Sequence, residues 1–256
     1  MIRVERDEAG IATVVIDNPA ARNAMTFAMW DALRDEARAL DADPQVRVVV
    51  VTGAGDVAFV SGTAIGEFRG FTADDGIAYE RRMDAVMQAL EAIRVPTIAA
   101  IAGACTGGGV AIASTCDLRF GAAGSRIGLP IARTLGNCIS IANLARVAEL
   151  IGSDAAKALL LTGRLLTAEE ALHAGFLTAV VASADAVRAH AQAAACAMLA
   201  LAPGTLRASK EGFRRLRAAR VIPPGDDLIR ACYGSADFRE GVEAFLAKRA
   251  PRWTGS

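Results

Sequence analysis

The sequence predicts an α/β protein, a layered core of strands and helices followed by a C-terminal helical region. Three observations carry this. Short β-branched apolar runs alternate with amphipathic, helix-length segments through the first half. The runs at 46–52 and 97–101 are apolar without alternation, as strands covered on both faces are. From Asn137 onward the pattern is mostly helical. We place the core in residues 1–195 and the helical region in 196–256.

The elements follow in order. Val4, Ile11, Val14 and Ile16 lie in two β-rich runs separated by residues 7–10, a hairpin signal. Thr26 can cap a helix over 27–40 that puts Trp30, Leu33, Ala37 and Leu40 on one face. Pro44 precedes the buried strand at 46–52, and a polar helix follows at 75–93. Pro96 stops that helix, and the strand at 97–101 begins. Gly103 then leads to Thr106-Gly107-Gly108-Gly109 and the small-residue run 110–114, read as strand, tight turn and closely packed helix. Residues 116–120 read as a further strand. In the helical half, Thr167 and Glu170 form a capping box with Gly175 as the stop. Asp237 and Glu240 repeat that device before 242–249, and Pro251 follows.

Composition narrows the function. The chain has 256 residues, 53% of them hydrophobic, enough for one large core. Lys+Arg and Asp+Glu number 28 each, so nothing in the bulk charge argues for a nucleic-acid or membrane-surface partner, and none is expected. An anionic ligand would need a local basic site. The charged N-terminal decapeptide has no apolar stretch, so no signal peptide is expected. No apolar run approaches the length of a bilayer span. The cysteines (105, 116, 138, 196 and 232) are scattered, with no CxxC and no Cys/His ligand spacing. A reducing cytoplasm and the absence of a metal site are expected.

Two segments are candidates for chemistry. The glycine triplet lets backbone approach a ligand closely and opens a helix, whose free N–H groups and positive dipole end face whatever docks there. A tight turn with close helix packing explains the same residues. The segment Phe59-Val60-Ser61-Gly62-Thr63-Ala64-Ile65 follows a buried strand and a glycine turn. By itself it reads as a loop.

Together and in this order, the two segments resemble those of the crotonase superfamily, the enoyl-CoA hydratases and isomerases. The family carries a phenylalanine-small-small-glycine-x-aspartate-isoleucine loop followed by a glycine triplet. The resemblance covers most of the chain. It includes Asp17-Asn18-Pro19-Ala20-Ala21-Arg22-Asn23-Ala24, the strand from Pro96 to Gly103, Cys116-Asp117-Leu118 and Gly128-Leu129-Pro130. It continues through Leu161-Thr162-Gly163, residues 168–175 and residues 245–249. It implies a β-β-α spiral core with a C-terminal helical region, and a homotrimer or dimer of trimers.

The resemblance also implies roles. The oxyanion-hole N–H groups fall on Thr63 and Gly108. Two preorganised donors stabilise the charge that grows on a thioester carbonyl, and losing one costs on the order of 3–4 kcal/mol of barrier. The substrate-binding loop maps to Ala20, Ala21, Arg22 and Ala24, with Val60, Ser61 and Ile65 on the opposite wall and Gly107 and Pro130 nearby. Ala20 stands where many relatives have lysine, and Arg22 could supply the missing charge. Lys248 and Arg249 resemble residues that approach the adenine end, and a solvated helix face is the alternative. The partner is an acyl-CoA thioester, with coenzyme A as part of the substrate and no bound cofactor.

The match breaks where hydratases of this family carry two glutamates. Those positions are Ala111 and Ile131, and Ala64 replaces the motif aspartate. A positioned acid or base contributes about 10²–10⁴-fold, so losing both leaves the usual hydratase mechanism nearly inactive. Other groups are candidates. Arg133 could pair with an acyl-chain carboxylate. Cys138 reads as a small residue at a helix start, with a lowered-pKa thiol as the sharper alternative. Glu67, Tyr79, Glu80 and Arg82 fall in the lid and the helix after it, where one of them could enter the pocket. His173 and His190 read as helix-surface residues. Two functions stay open. One is an enzyme acting as hydratase or isomerase, or by decarboxylation or thioester hydrolysis. The other is a non-catalytic acyl-CoA binder.

Overall fold

The computed structural model describes all residues, 1–256. Its strands are β1 (Ile2–Arg6), β2 (Ile11–Ile16), β3 (Val48–Gly53), β4 (Ala58–Val60), β5 (Thr97–Ile101), β6 (Ala104–Thr106), β7 (Leu118–Ala122), β8 (Arg126–Gly128), β9 (Leu166–Thr167) and β10 (Ala179–Val181). Its helices are α1 (Phe27–Ala42), α2 (Ala73–Ala92), α3 (Gly108–Thr115), α4 (Ile131–Thr134), α5 (Ile141–Ile151), α6 (Ser153–Thr162), α7 (Ala168–His173), α8 (Ala184–Leu199), α9 (Pro203–Ala218), α10 (Asp226–Tyr233) and α11 (Ala236–Leu246).

Six strands form the main sheet in the order β1-β2-β3-β5-β7-β10. The β1–β2 hairpin is antiparallel and the other pairs are parallel. The unbroken apolar run of β3 is explained by its pleat. Val48 and Val50 face one cluster, which α8 completes with Val187, Ala191 and Ala195. Val49 and Val51 face the other, which holds Trp30, Leu33, Met83, Met87 and Val110 from α1, α2 and α3. The capped helix expected at 27–40 is α1, and Thr26 Oγ1 accepts the Met29 amide at 3.3 Å.

A second sheet, β4-β6-β8-β9, stands beside the first. It makes strand of Phe59 and Val60, the start of a segment that reads as a loop in sequence. Strands of two or three residues show no period, so composition could not reveal them.

Cap chemistry corrects two other expectations. Asn137-Cys138 does not open a helix. Helix α5 begins at Ile141, and Ser140 Oγ accepts the Asn143 amide at 3.2 Å. Asp237 and Glu240 do not form a capping box either. Ser235 Oγ caps α11 by accepting Phe238 N at 2.9 Å, while Asp237 accepts from Thr254 N and Gly255 N and Glu240 pairs with Arg249. Both boxes that do form are reciprocal: Thr72–Asp75 opens α2, and Thr167–Glu170 opens α7 as expected.

Residues 195 and 196 both lie inside α8. Helices α10 and α11 turn back onto Phe68 and α2, forming a third apolar cluster with Ile77, Tyr233 and Phe238. No helix is long and apolar enough to cross a membrane.

Candidate active site

The site is built where two glycine bends meet. Gly62 takes φ +108° and Gly107 φ +53°, both in the left-handed region that side chains disfavour. A β-carbon on Gly62 would lie 3.7 Å from Gly108 N, and one on Gly107 would lie 3.7 Å from Gly62 Cα. The bends therefore pass at backbone contact. The close approach is locked from behind, because Gly109 sits against Val60, whose carbonyl oxygen would be 2.2 Å from an added β-carbon.

Backbone bonds fix the first bend in register. Met25 N donates to Gly62 O at 2.9 Å, and Ala64 N donates to Met25 O at 2.8 Å. That bridge skips the amide of Thr63. Gly108 N is the first donor of α3, with no carbonyl a turn earlier to receive it. Neither amide has an acceptor within the chain. Trp30, fully buried on α1, braces both positions. Its Nε1 donates to Thr63 Oγ1 at 3.0 Å, and its ring lies 2.6 Å from where a Gly108 β-carbon would be. Tyr79 Oη is 2.7 Å from the same Thr63 oxygen. Burial, and then the Glu80 charge, holds the Tyr79 phenol far above its ordinary range, so it stays neutral.

These residues line a cleft of about 810 Å³. Most residues that the sequence singled out meet there. Ala20, Ala21, Arg22, Ala24, Ser61, Thr63, Ile65, Gly107, Gly108, Ala111, Pro130, Ile131 and Lys248 all border it. Val60 and Arg133 do not. Val60 is 0% exposed and its side chain packs in the core. Arg133 sits on the outside of α4 against Gly163, because one turn of helix after Pro130 turns it away. The loop from Asp17 to Ala24 is held by Asn23, 1% exposed, whose Nδ2 donates to Ala54 O and Ala58 O. A smaller cavity of about 390 Å³ under α9 is lined by ions that already pair, such as Lys210 with Asp117 and Arg217 with Glu149.

The enoyl-CoA hydratase/isomerase family profile matches residues 6–256. The chain belongs to that family. It is 32% identical over 256 residues to the protein named "Probable enoyl-CoA hydratase echA8" of Mycobacterium bovis, covering 99% of this chain and 97% of the relative. It is 30% identical to the crotonyl-CoA hydratase of Syntrophomonas wolfei, covering 97% and 95%. Among solved structures, an enoyl-CoA hydratase/carnithine racemase of Magnetospirillum magneticum superposes with a TM-score of 0.81 at 33% identity, over 100% and 96% of the two chains. The fold is that of the crotonase superfamily, as the resemblance implied.

Ala111 and Ile131 both border the cleft, and neither can ionise. Of the four lid and helix candidates, Glu67 accepts Phe27 N at 3.2 Å and Arg82 pairs with Asp31. Cys138 is half-buried beside Cys232, whose interaction, with burial second, raises the Cys138 thiol far above its ordinary range. His173 and His190 are exposed on helices away from the cleft.

Glu80 differs from all of these. It is 3% exposed and is the one carboxylate bordering the cleft. Burial pushes its carboxyl up to about 7, against the bonds from Tyr233 and Ser140 that favour the charged form. The folded protein therefore keeps a proton that an unfolded glutamate releases. Between the ordinary carboxylate range and about pH 7 this group lowers stability as pH rises. Glu80→Gln preserves the shape and removes the ionisation. Its melting temperature relative to wild type is expected to climb from about pH 5 to about pH 8. A difference that stays flat across that interval would mean Glu80 titrates like a solvated carboxylate.

Proposed function

We propose that this family member binds an acyl-CoA thioester with its carbonyl oxygen between the amides of Thr63 and Gly108, stabilising the oxyanion or enolate that forms there. The observation that carries this reading is the pair of partnerless amides at the contact of the two glycine bends. Such donors, aligned before the reaction, avoid reorganisation as charge develops. Because they are main-chain groups, a threonine at position 63 can supply one while its side chain takes the bonds to Trp30 and Tyr79. The cleft volume suits a sizeable ligand. Coenzyme A arrives with the substrate, so the reading needs no resident cofactor.

Arg22 and Lys248 border the cleft and form no ion pair within the chain. With a net charge of zero overall, they are the local cations that phosphates of coenzyme A would meet. Replacing both with alanine is expected to weaken acyl-CoA binding about tenfold, and the loss should shrink as salt rises. Calorimetric titration at two salt concentrations checks this. Equal affinity in wild type and variant at low salt would remove both residues from the binding site.

Ala111 and Ile131 make addition of water by two glutamates a poor description of the reaction. Isomerisation, decarboxylation and thioester hydrolysis remain within reach of an oxyanion hole. Decarboxylation needs it above all, since loss of CO₂ itself generates the enolate. The same two residues favour a second reading, a binder without turnover. Titration with crotonyl-CoA, followed by mass spectrometry on a panel of enoyl-, malonyl- and methylmalonyl-type thioesters, separates them. Binding with turnover of any member supports the enzyme, binding without turnover supports the binder, and no binding rejects both.

A further inference from the structure

The cleft contains one feature that the thioester reading leaves idle. Glu80 on α2 is gripped from two other elements. Its Oε1 accepts the Tyr233 hydroxyl of α10 at 2.7 Å, and its Oε2 accepts the Ser140 amide at 2.9 Å. Tyr233 in turn accepts Asn137 Nδ2 at 3.2 Å. Asn137 also borders the cleft, and its Oδ1 is the one buried side-chain polar atom in the chain without a partner. A buried carboxylate is costly unless compensated, and this one has no cation against it. The chain commits two donors, the Tyr233 hydroxyl and the Ser140 amide, to keep a carboxyl at a cleft wall where an apolar side chain would pack at no such cost. That expense makes sense for a group with chemistry to do.

We propose that Glu80 is the general base of this site, taking a proton from the carbon α to the thioester carbonyl of a bound β,γ-unsaturated acyl-CoA and returning it to the γ carbon. This rests on the thioester reading above. The step balances. The pair from the α C–H bond becomes the bond between Cα and the carbonyl carbon, and the carbonyl π pair moves to the oxygen held by Thr63 N and Gly108 N. The protonated Glu80 then gives its proton to Cγ. The carbonyl reforms, the double bond settles between Cα and Cβ, and the carboxylate is restored. No water, oxidant or second acid is consumed.

A one-carboxylate cleft fits this 1,3-shift better than hydration, which usually divides its proton transfers between two groups. A carboxyl that is half ionised near neutrality can both remove and return a proton. The titratable groups facing it are Tyr79 and Asp84 on its own helix, Tyr233 on α10 and Cys138 in the segment before α5. Asp84 is faced by Arg146 from α5. Tyr79, Tyr233 and Cys138 are all raised by their surroundings, so they remain neutral while Glu80 titrates.

The test uses the full chain and but-3-enoyl-CoA, with formation of crotonyl-CoA followed by absorbance. Wild type is expected to isomerise it. Glu80→Gln is expected to bind within about threefold of wild type and to lose about 10²–10⁴ in kcat. Tyr233→Phe keeps the carboxylate but removes a bond that favours its charged form, so the rising limb of the pH–rate profile should move to higher pH. A chain that binds no acyl-CoA sinks the thioester reading and this role with it. A chain that binds but-3-enoyl-CoA without isomerising it sinks the role alone. So does a Glu80→Gln variant as fast as wild type, or a Tyr233→Phe variant whose profile does not move.

Discussion

Gly109→Ala will cost about 3 kcal/mol of stability and remove acyl-CoA binding. The new β-carbon would lie 2.2 Å from the Val60 carbonyl oxygen and 3.0 Å from its β-carbon. The first obstacle is backbone, so no rotamer change relieves it. Either β4 or the start of α3 must shift, and Gly108 N moves with the helix. Gly212→Ala is the internal control. Gly212 lies within α9 with nothing within 4 Å of an added β-carbon, so alanine there should raise stability by about 0.5–1 kcal/mol. Urea unfolding and calorimetric titration of both variants check the pair. A Gly109→Ala chain with wild-type stability and affinity would mean that the close contact of the bends is not required.

Arg146→Ala is expected to cost about 3 kcal/mol at neutral pH. Arg146 is 6% exposed, and its Nε and Nη2 donate to the two oxygens of Glu91 at 2.8 and 3.0 Å. A third nitrogen donates to Asn143 Oδ1 at 3.0 Å, and Asp84 lies 3.7 Å away. Removing the guanidinium leaves two partly buried carboxylates short of compensation, although Arg217 still reaches Glu91. Burial raises the Glu91 carboxyl, but Arg146 and Arg217 outweigh it and hold it below the ordinary range. A lowered folded pKa contributes stability above the unfolded value that is lost as pH falls through the folded one. The deficit of Arg146→Ala should therefore be largest near neutrality and narrow in acid. Denaturant titrations at several pH values measure it, and a loss below about 1 kcal/mol throughout would mark the pair as solvent-screened.

What was legible in the sequence followed element length. The six-residue β3 and sixteen-residue α1 carry enough period or unbroken burial to be read, and Trp30 fell on the correct face. Strands β4, β6, β8 and β9 did not, since two or three residues hold no pattern. Caps failed where several candidates compete. Ser140 caps the helix whose start was read at Cys138, and Ser235 took the capping role assigned to Asp237. The glycine triplet was legible as a possible donor site and the first bend, by itself, only as a loop; the family motifs joined them, since their function lies in main-chain groups that every residue has. Glu80 was hardest to see. Its helix has charged residues at Asp74, Asp75, Arg81, Arg82 and Asp84 and reads as solvated, while the partner that explains its burial, Tyr233, is 153 residues away. The restricted φ of Arg22 and Asn23, at 53° and 55°, likewise answers to Asn23 side-chain bonds spanning 31 and 35 residues.

The proposed chemistry requires a thioester oxygen lying between two main-chain nitrogens. A crystal structure of the protein with crotonyl-CoA bound measures this directly. The oxygen is expected about 2.7–3.1 Å from both Thr63 N and Gly108 N, with the acyl chain running toward Ala111 and Ile131. An oxygen bonded to neither amide, with the thioester seated elsewhere on the protein, would contradict it.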